Sequence, residues 1–95
     1  MNMDITLSSR LRVKEEVVFR DMDGEAVLLN LESGVYFGLD SVGTRIWHLI
    51  REHESPGTVL AILLEEYEVE EARCEKDLLE ILARMTEKGL VEIIS

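Results

Sequence analysis

The feature that most constrains the fold is a change in hydrophobic period near Asp40. Upstream of Asp40 the apolar residues alternate with a period of two, which is typical of strands, and downstream they recur at helical spacing. A chain of 95 residues usually forms one domain. We therefore expect residues 1–95 to form a single α+β domain, in which a sheet is followed by a helical half.

Three segments upstream of Asp40 are rich in β-branched and aromatic residues or alternate in polarity, and are predicted to be strands: residues 17–20, 25–31 and 35–39. Gly24 follows an aspartate between the first two segments, and Gly34 follows a serine between the last two. Glycine accepts the positive φ of a tight turn without steric cost. The sequence therefore predicts a three-stranded antiparallel β-meander.

The two chain ends carry weaker patterns. Residues 5–13 are predicted to add a short strand or an arm, and residues 1–10 are expected to form a flexible arm. Residues 91–94 are predicted to form a short final strand.

Three helices are predicted downstream, over residues 41–53, 55–67 and 70–88. Asp40 or Ser41 is expected to cap the first helix, whose apolar face consists of Val42, Ile46, Leu49 and Ile50, with Trp47 on its flank. The second helix begins at a serine followed by Pro56, because proline suits the first helical position. Gly89 is expected to end the third helix in the left-handed conformation, with Leu90 packing back.

The third helix has two apolar surfaces. At about 100° per residue, its core stripe contains Cys74, Leu78, Ile81, Leu82 and Met85. A weaker shoulder beside that stripe contains Leu79 with two alanines, bordered by Lys76 and Thr86. This shoulder is either additional core or one wall of a groove.

The third strand is predicted to leave one edge of the sheet open. Soluble proteins usually protect such an edge with lysine, proline or a bulge. Residues 35–39 contain no charged residue and no proline. The edge is either covered by the C-terminal segment or by a second copy of the chain, or it pairs with an extended peptide.

Charge excludes two classes of partner. The chain has 20 acidic and 10 basic residues, which gives a formal net charge of −10. Binding to nucleic acid or to an anionic membrane requires concentrated positive charge. We therefore expect neither partner, and the absence of a secretory signal or a membrane-length apolar segment predicts a cytoplasmic protein.

No catalytic constellation is evident in the sequence. His48 and His53 are five residues apart on the first helix and point about 140° away from each other, so they do not share a metal. Cys74 is the single cysteine and is expected to be a buried, inert thiol. We expect no enzyme activity, no metal and no cofactor.

One long segment resembles a known family. Residues 28–47, which read LLNLESGVYFGLDSVGTRIW, resemble the PqqD-like family, the recognition elements of ribosomally made and post-translationally modified peptides. The later patterns Asp77-Leu78-Leu79 and Lys88-Gly89-Leu90-Val91 also resemble that family's last helix and end. The resemblance covers roughly residues 15–94, and within the family it is greatest to the free-standing leader-binding proteins of lasso-peptide biosynthesis.

The resemblance implies a winged helix-turn-helix fold that binds a leader peptide rather than DNA. It implies that the leader adds as an antiparallel strand to the third strand, beside the third helix. The expected peptide-binding residues are Val35, Tyr36, Phe37, Gly38, Leu39, Lys76, Leu79, Leu82, Ala83 and Thr86.

The resemblance also implies partners: the leader region of a precursor peptide, a separate transglutaminase-like leader peptidase, and a cyclase downstream. Three other hypotheses remain open from the sequence. In the first, the chain is a leader-binding companion of a radical-SAM peptide-modifying enzyme, as in pyrroloquinoline quinone synthesis. In the second it is an acidic winged-helix regulator, and in the third it is an oligomer whose edge strands pair with each other. The acidic residues on the exposed face of the third helix, such as Glu71 and Glu80, oppose the regulator.

Overall fold

The computed structural model describes residues 5–23 and 25–95. The elements, in chain order, are β1 (Leu11–Val13), β2 (Val17–Met22), β3 (Glu25–Asn30), β4 (Tyr36–Leu39), α1 (Ser41–His53), α2 (Pro56–Glu66), α3 (Glu71–Glu87) and β5 (Val91–Ile93). This confirms the predicted α+β architecture, with an antiparallel three-stranded sheet followed by three helices. Within the described ranges, none of the helices combines the length and apolarity that crossing a membrane requires.

The larger sheet is a meander with the strand order β2-β3-β4. Its register pairs Val18 with Leu29 and Leu28 with Phe37. Gly34 has a φ of 77° in the turn before β4, as its position between two strands predicts. The other predicted turn contains Asp23, which has a φ of 52°, and Gly24, which lies outside the described residues.

The short strands β1 and β5 lie within the predicted segments 5–13 and 91–94 and form a second sheet. The sequence did not predict this pairing. β1 pairs with β5 in antiparallel register, with Arg12 opposite Glu92. A turn follows β1, in which the backbone N–H of Val17 donates to the carbonyl of Lys14 at 3.2 Å. Strands joined by such a turn usually pair as a hairpin. Here β1 pairs with β5 and β2 pairs with β3, so the two strands diverge from the turn.

The helix boundaries follow the capping residues. The carboxylate of Asp40 accepts the N–H of Gly43 at 2.7 Å, and the hydroxyl of Ser55 accepts the N–H of Thr58 at 3.2 Å. Glu54 ends α1 in the left-handed region, with a φ of 59°, so the chain reverses direction before Pro56 begins α2. Gly89, with a φ of 73°, follows α3 as predicted.

The core lies between the helices and one face of the meander. Its fully buried side chains include Leu28 from the sheet and Ile50, Val59 and Leu82 from the three helices. One prediction for α1 is corrected, because Val42 is 42% exposed, while Trp47 on the flank of the helix is buried at 1% exposure. Since α1 packs against β1 as well as α2, its apolar face is wider than the periodic stripe.

Residues 5–10 are anchored to the body of the domain. The Ile5 side chain is buried, and the carbonyl of Leu7 accepts the N–H of Gly57 at 3.1 Å. The N–H of Arg10 donates to the carbonyl of Ser95 at 2.9 Å. The flexible arm expected over residues 1–10 stays a prediction, and residues 1–4 lie outside the described part of the chain.

Candidate functional site

The outer edge of β4 presents main-chain groups at alternate residues. The N–H of Asn30 donates to the carbonyl of Val35 at 2.9 Å, so this pair belongs to the hydrogen-bonded set of the β3–β4 ladder. Antiparallel pairs alternate between bonded and non-bonded sets, which places Phe37 and Leu39 in the bonded set with β3. The N–H and C=O groups of Tyr36 and Gly38 therefore point outward, and no strand in the described ranges pairs with them.

The side chains of β4 divide between the two faces of the sheet. Phe37 and Leu39 are buried against the core, while Tyr36 is 72% exposed. A Cβ added at Gly38 would meet no atom within 4 Å. The core-facing side chains of β4 thus hold the strand in place, while the solvent-facing side has open space. Strand addition requires this arrangement.

Asn30 holds the turn that precedes β4. It is the one buried polar side chain among the described residues. Its Oδ1 accepts the backbone N–H groups of Glu32 and Ser33, and its Nδ2 donates to the carbonyl of Gly89 at 2.9 Å. The side chain thereby ties the β3–β4 turn to the end of α3. The sequence carried a signal, since asparagine is common in turns, but not the identity of its partner.

Two side chains of α3 lie on the side of the helix that faces β4 and the start of α1. The guanidinium carbon of Arg84 lies 5.3 Å from the centroid of the Phe37 ring. A Cβ added at Gly43 would lie 3.2 Å from Cδ2 of Leu39 and 3.4 Å from Cδ1 of Ile81. Ile81 and Arg84 therefore lie on the side of α3 that borders the open edge, and helical periodicity did not identify them in this role.

The predicted α3 wall lies elsewhere on the helix. Lys76, Leu79, Ala83 and Thr86 are about 140–160° around the helix from Ile81. Leu79 and Ala83 pack against the core as half-buried side chains. The structure therefore does not bring these four side chains to the β4 side of α3.

Two members of the predicted set also have a structural role. Leu82 is fully buried in the core, and its predicted contact with a bound peptide stays a prediction. The hydroxyl of Thr86 donates to the carbonyl of Leu82 at 2.8 Å, which is a bond within the helix.

An apolar pocket lies where the three helices meet. Its volume is about 230 Å³, and its lining is largely apolar. The residues that line it are Val42, Ile46, Leu63, Tyr67, Val69, Arg73, Cys74, Asp77 and Leu78. Val42 belongs to the first turn of α1, which directly follows β4, so this pocket lies near the C-terminal end of the open edge. The signal available in the sequence was Val69, an apolar residue between the second and third predicted helices.

One thiol, that of Cys74, lines this pocket. Burial raises the pKa of the Cys74 thiol above its ordinary value, and the nearby Asp77 carboxylate raises it further. The thiol is therefore protonated at neutral pH and is a poor nucleophile. Among the described residues, no cluster of three or more potential metal ligands exists.

The comparisons with known proteins agree on a family. The family model for coenzyme PQQ synthesis protein D (PqqD) matches residues 25–91. This range contains both the open strand edge and the apolar pocket. No curated protein matches the chain.

Two solved structures have a similar fold. One is TbiB1 in complex with the TbiA(beta) leader peptide, with 40% identity and a TM-score of 0.78, covering 85% of this chain and 94% of that one. The other is lasso peptide synthetase B1 complexed with the leader peptide, with 29% identity and a TM-score of 0.78, covering 87% of this chain and 98% of that one. Both similar chains were solved with a leader peptide bound.

Proposed function

Because the chain belongs to the PqqD family, we propose that it is a non-catalytic recognition element for the leader segment of a ribosomal precursor peptide. The leader adds as an antiparallel strand to the outer edge of β4. Main-chain hydrogen bonds supply affinity in this mode, and pockets for alternate side chains supply specificity. The 40% identity to TbiB1, which binds a leader peptide, supports this assignment.

The observation that carries the proposal is the open edge of β4. Its outward main-chain groups belong to Tyr36 and Gly38, and the strand carries no charge and no proline. An edge of this kind is an aggregation hazard that soluble proteins normally protect. A leader that pairs with the edge removes the hazard and satisfies the main-chain groups.

The polarity of the added strand assigns parts of the leader to parts of the surface. In an antiparallel arrangement, the N-terminal part of the leader lies near the C-terminal end of β4 and the pocket that contains Val42. That pocket accommodates one apolar leader side chain. The C-terminal part of the leader leaves the edge near the turn at Gly34, where Asn30 fixes the backbone. Ile81 and Arg84 border the leader where it passes α3.

The bound leader is presented to separate enzymes. We assign the chain to lasso-peptide biosynthesis, because both similar structures concern leader complexes and one is a lasso peptide synthetase B1. The partners are then a transglutaminase-like leader peptidase and a cyclase that acts downstream. A radical-SAM peptide-modifying enzyme is the alternative recipient, since the matching family model concerns coenzyme PQQ synthesis.

A matched pair of substitutions at Gly38 tests the strand addition. Gly38→Pro removes one outward N–H while leaving the β3–β4 ladder intact, because proline is tolerated on an edge whose N–H faces solvent. Gly38→Ala keeps the N–H, and its added Cβ meets no atom within 4 Å. Binding of a fluorescein-labelled TbiA(beta) leader peptide, and of the leader encoded beside this gene, is measured by anisotropy.

We expect Gly38→Pro to weaken leader binding at least about tenfold, since a hydrogen bond is lost and the ring obstructs the added strand. Gly38→Ala is expected to bind within about twofold of the natural chain. Equal binding by the two variants, or no saturable binding of either leader by the natural chain, would contradict the proposal. Circular dichroism of each variant verifies that the fold is retained.

A further inference from the structure

A second groove lies at the β2 edge of the sheet, opposite to the β4 edge, where β1 and β2 diverge. Its volume is about 550 Å³. The residues that line it are Arg12, Val13, Lys14, Glu15, Val17, Val18, Phe19, Arg20, Trp47, Arg51 and Glu54. Four successive residues of β2 take part, so the groove runs along the outer edge of this strand. We call this groove the wedge.

One wall of the wedge carries unpaired main-chain groups. The N–H of Leu31 donates to the carbonyl of Glu16, which places residue 16 and, by alternation, residues 18, 20 and 22 in the bonded set with β3. The N–H and C=O groups of Phe19 and Asp21 therefore point outward. No strand in the described part of the chain pairs with them.

The opposite wall is the edge of β1. The N–H of Lys14 donates to the carbonyl of Leu90, and the N–H of Ile94 donates to the carbonyl of Arg10. These bonds place Arg10, Arg12 and Lys14 in the bonded set with β5, so the main-chain groups of Val13 point away from β5. The wedge is thus lined by two strand edges that an extended segment is able to contact.

Basic residues outnumber acidic residues in the lining of the wedge. Arg12, Lys14, Arg20 and Arg51 line it, which is four of the ten basic residues in a chain of net charge −10. Glu15 and Glu54 are the acidic residues of the lining. Arg12 pairs with Glu92 at 2.5 Å, and Lys14 lies 3.8 Å from Glu16.

Arg20 and Arg51 form no ion pair with any side chain that the structure describes. The lining therefore carries a net positive charge, with Glu54 paired to Arg10, and a concave surface with a net charge attracts a partner of the opposite sign.

Trp47 supplies an independent observation. The side chain lines the wedge and is 99% buried, being 1% exposed. Its indole N–H has no hydrogen-bond acceptor among the described residues. A buried donor without an acceptor costs free energy, and such a group in a folded protein calls for an explanation. Because Trp47 lines the wedge, a main-chain carbonyl of a segment seated there is a candidate acceptor for this N–H.

We propose that the wedge binds an extended acidic segment of a second protein, which pairs with the outer edge of β2 and places carboxylates against Arg20 and Arg51. The proposal does not depend on leader binding, because the two outer strands lie about 10 Å apart on either side of β3. Both segments are thus able to bind at once. The site brings the protein that carries the acidic segment next to the leader on β4.

Peptide titration of the full ¹⁵N-labelled chain tests this proposal. The probe is an alternating Asp-Val peptide of about eight residues, the length of an ordinary strand, with blocked termini. The matched control is the alternating Lys-Val peptide. We expect saturable shifts at the amides of Phe19 and Asp21 and at the indole N–H of Trp47, with a Kd below about 1 mM. The Lys-Val peptide is expected to leave these resonances unchanged.

Two single substitutions with the same change in charge sharpen the test. Arg51→Glu is expected to weaken Asp-Val binding at least about tenfold, or about 1.4 kcal/mol. Lys76→Glu, on α3 and outside the wedge, is expected to change it less than about twofold. Both side chains belong to exposed residues, so each variant should fold, and circular dichroism verifies this.

Four outcomes would overturn the proposal. The first two are that the Asp-Val peptide causes no saturable shift below about 1 mM, and that the Lys-Val peptide binds equally well. The other two are that the shifts are confined to Tyr36 and Gly38, and that the two substitutions weaken Asp-Val binding equally. Inorganic phosphate is titrated separately. Phosphate that shifts the same resonances as strongly as the peptide, and displaces it, would identify an anion site and not a strand site. The Asp-Val titration is repeated with the TbiA(beta) leader peptide present. Retained binding of the Asp-Val peptide under this condition shows that the wedge is a site separate from the leader site.

Discussion

The two outer strands of the sheet differ in the chemistry that they present at their edges. β4 carries no charge, and an apolar pocket of about 230 Å³ lies near its C-terminal end. β2 carries Arg20 and Asp21 and borders a larger groove lined by four basic and two acidic side chains. The same backbone geometry, an open strand edge, is therefore combined with apolar surroundings on one side and cationic surroundings on the other. Main-chain pairing supplies affinity at both edges, so side chains must distinguish their occupants.

The largest expected effect concerns which residues of β4 face outward. Phe37→Pro should lower the free energy of unfolding by at least about 3 kcal/mol, because it removes a ladder bond to β3 and a buried ring. Gly38→Pro should lower it by less than about 1 kcal/mol, because its N–H points to solvent. Urea unfolding of both variants measures the difference. Equal destabilisation would show that the alternation assigned to β4 is shifted by one residue.

The second prediction tests the apolar surroundings of the β4 edge. Val42→Asp places a carboxylate in the pocket, and a leader side chain that enters the pocket must then desolvate this charge. We expect leader binding to weaken at least about tenfold. Leu31→Asp is the control, since Leu31 is another exposed apolar residue outside the pocket. Similar losses in the two variants would mean that net charge, and not the pocket, controls leader affinity.

The third prediction compares the salt dependence of the two edges. Raising NaCl from about 0.05 M to about 0.5 M shortens the screening length. The Asp-Val peptide at β2 should lose about tenfold in affinity, because its carboxylates face Arg20 and Arg51. The leader at β4 should lose less than about threefold, because its contacts are main-chain and apolar. Parallel salt dependence of the two ligands in fluorescence anisotropy would remove the distinction between the edges.

The smallest expected effect concerns the ion pair beside the wedge. The guanidinium of Arg12 donates to the Glu92 carboxylate and lowers the pKa of Glu92 below its ordinary value of 4.5. A carboxylate with a lowered folded pKa stabilises the fold above its unfolded pKa, and this contribution is lost as the pH falls through the folded pKa. Arg12→Gln should therefore make the decline of stability below pH 4.5 slightly shallower. Urea midpoints as a function of pH measure the effect, and an unchanged profile would show that the pair contributes nothing.

Local signals in the sequence were sufficient to predict most elements of the fold. The helix ends were predicted at Asp40, Ser55 and Gly89, and the structure has the caps at these residues. This was possible because capping depends on neighbours within a few residues. The meander was predictable because its tight turns fix which strands pair. The β1–β5 pairing was not, because it joins residues about 80 positions apart without a motif.

The candidate site was only half predictable for a similar reason. The β4 edge followed from strand order and composition. The side of α3 that faces this edge depends on how the helix crosses the sheet, which helical periodicity does not determine. Leu79 belongs to the predicted shoulder and Ile81 to the predicted core stripe, and only the contacts of Ile81 and Arg84 identify the side of α3 that borders β4. The wedge was not predictable, because divergence of β1 from β2 follows from the β1–β5 pairing.

Amide hydrogen exchange with and without the leader tests the central claim most directly. In the free chain, the amides of Tyr36 and Gly38 should exchange rapidly, while those of Phe37 and Leu39 are protected by β3. Saturation with the leader should protect Tyr36 and Gly38 and leave the amides of Phe19 and Asp21 unchanged. If Tyr36 and Gly38 exchange as rapidly in the saturated complex as in the free chain, the leader does not add to β4.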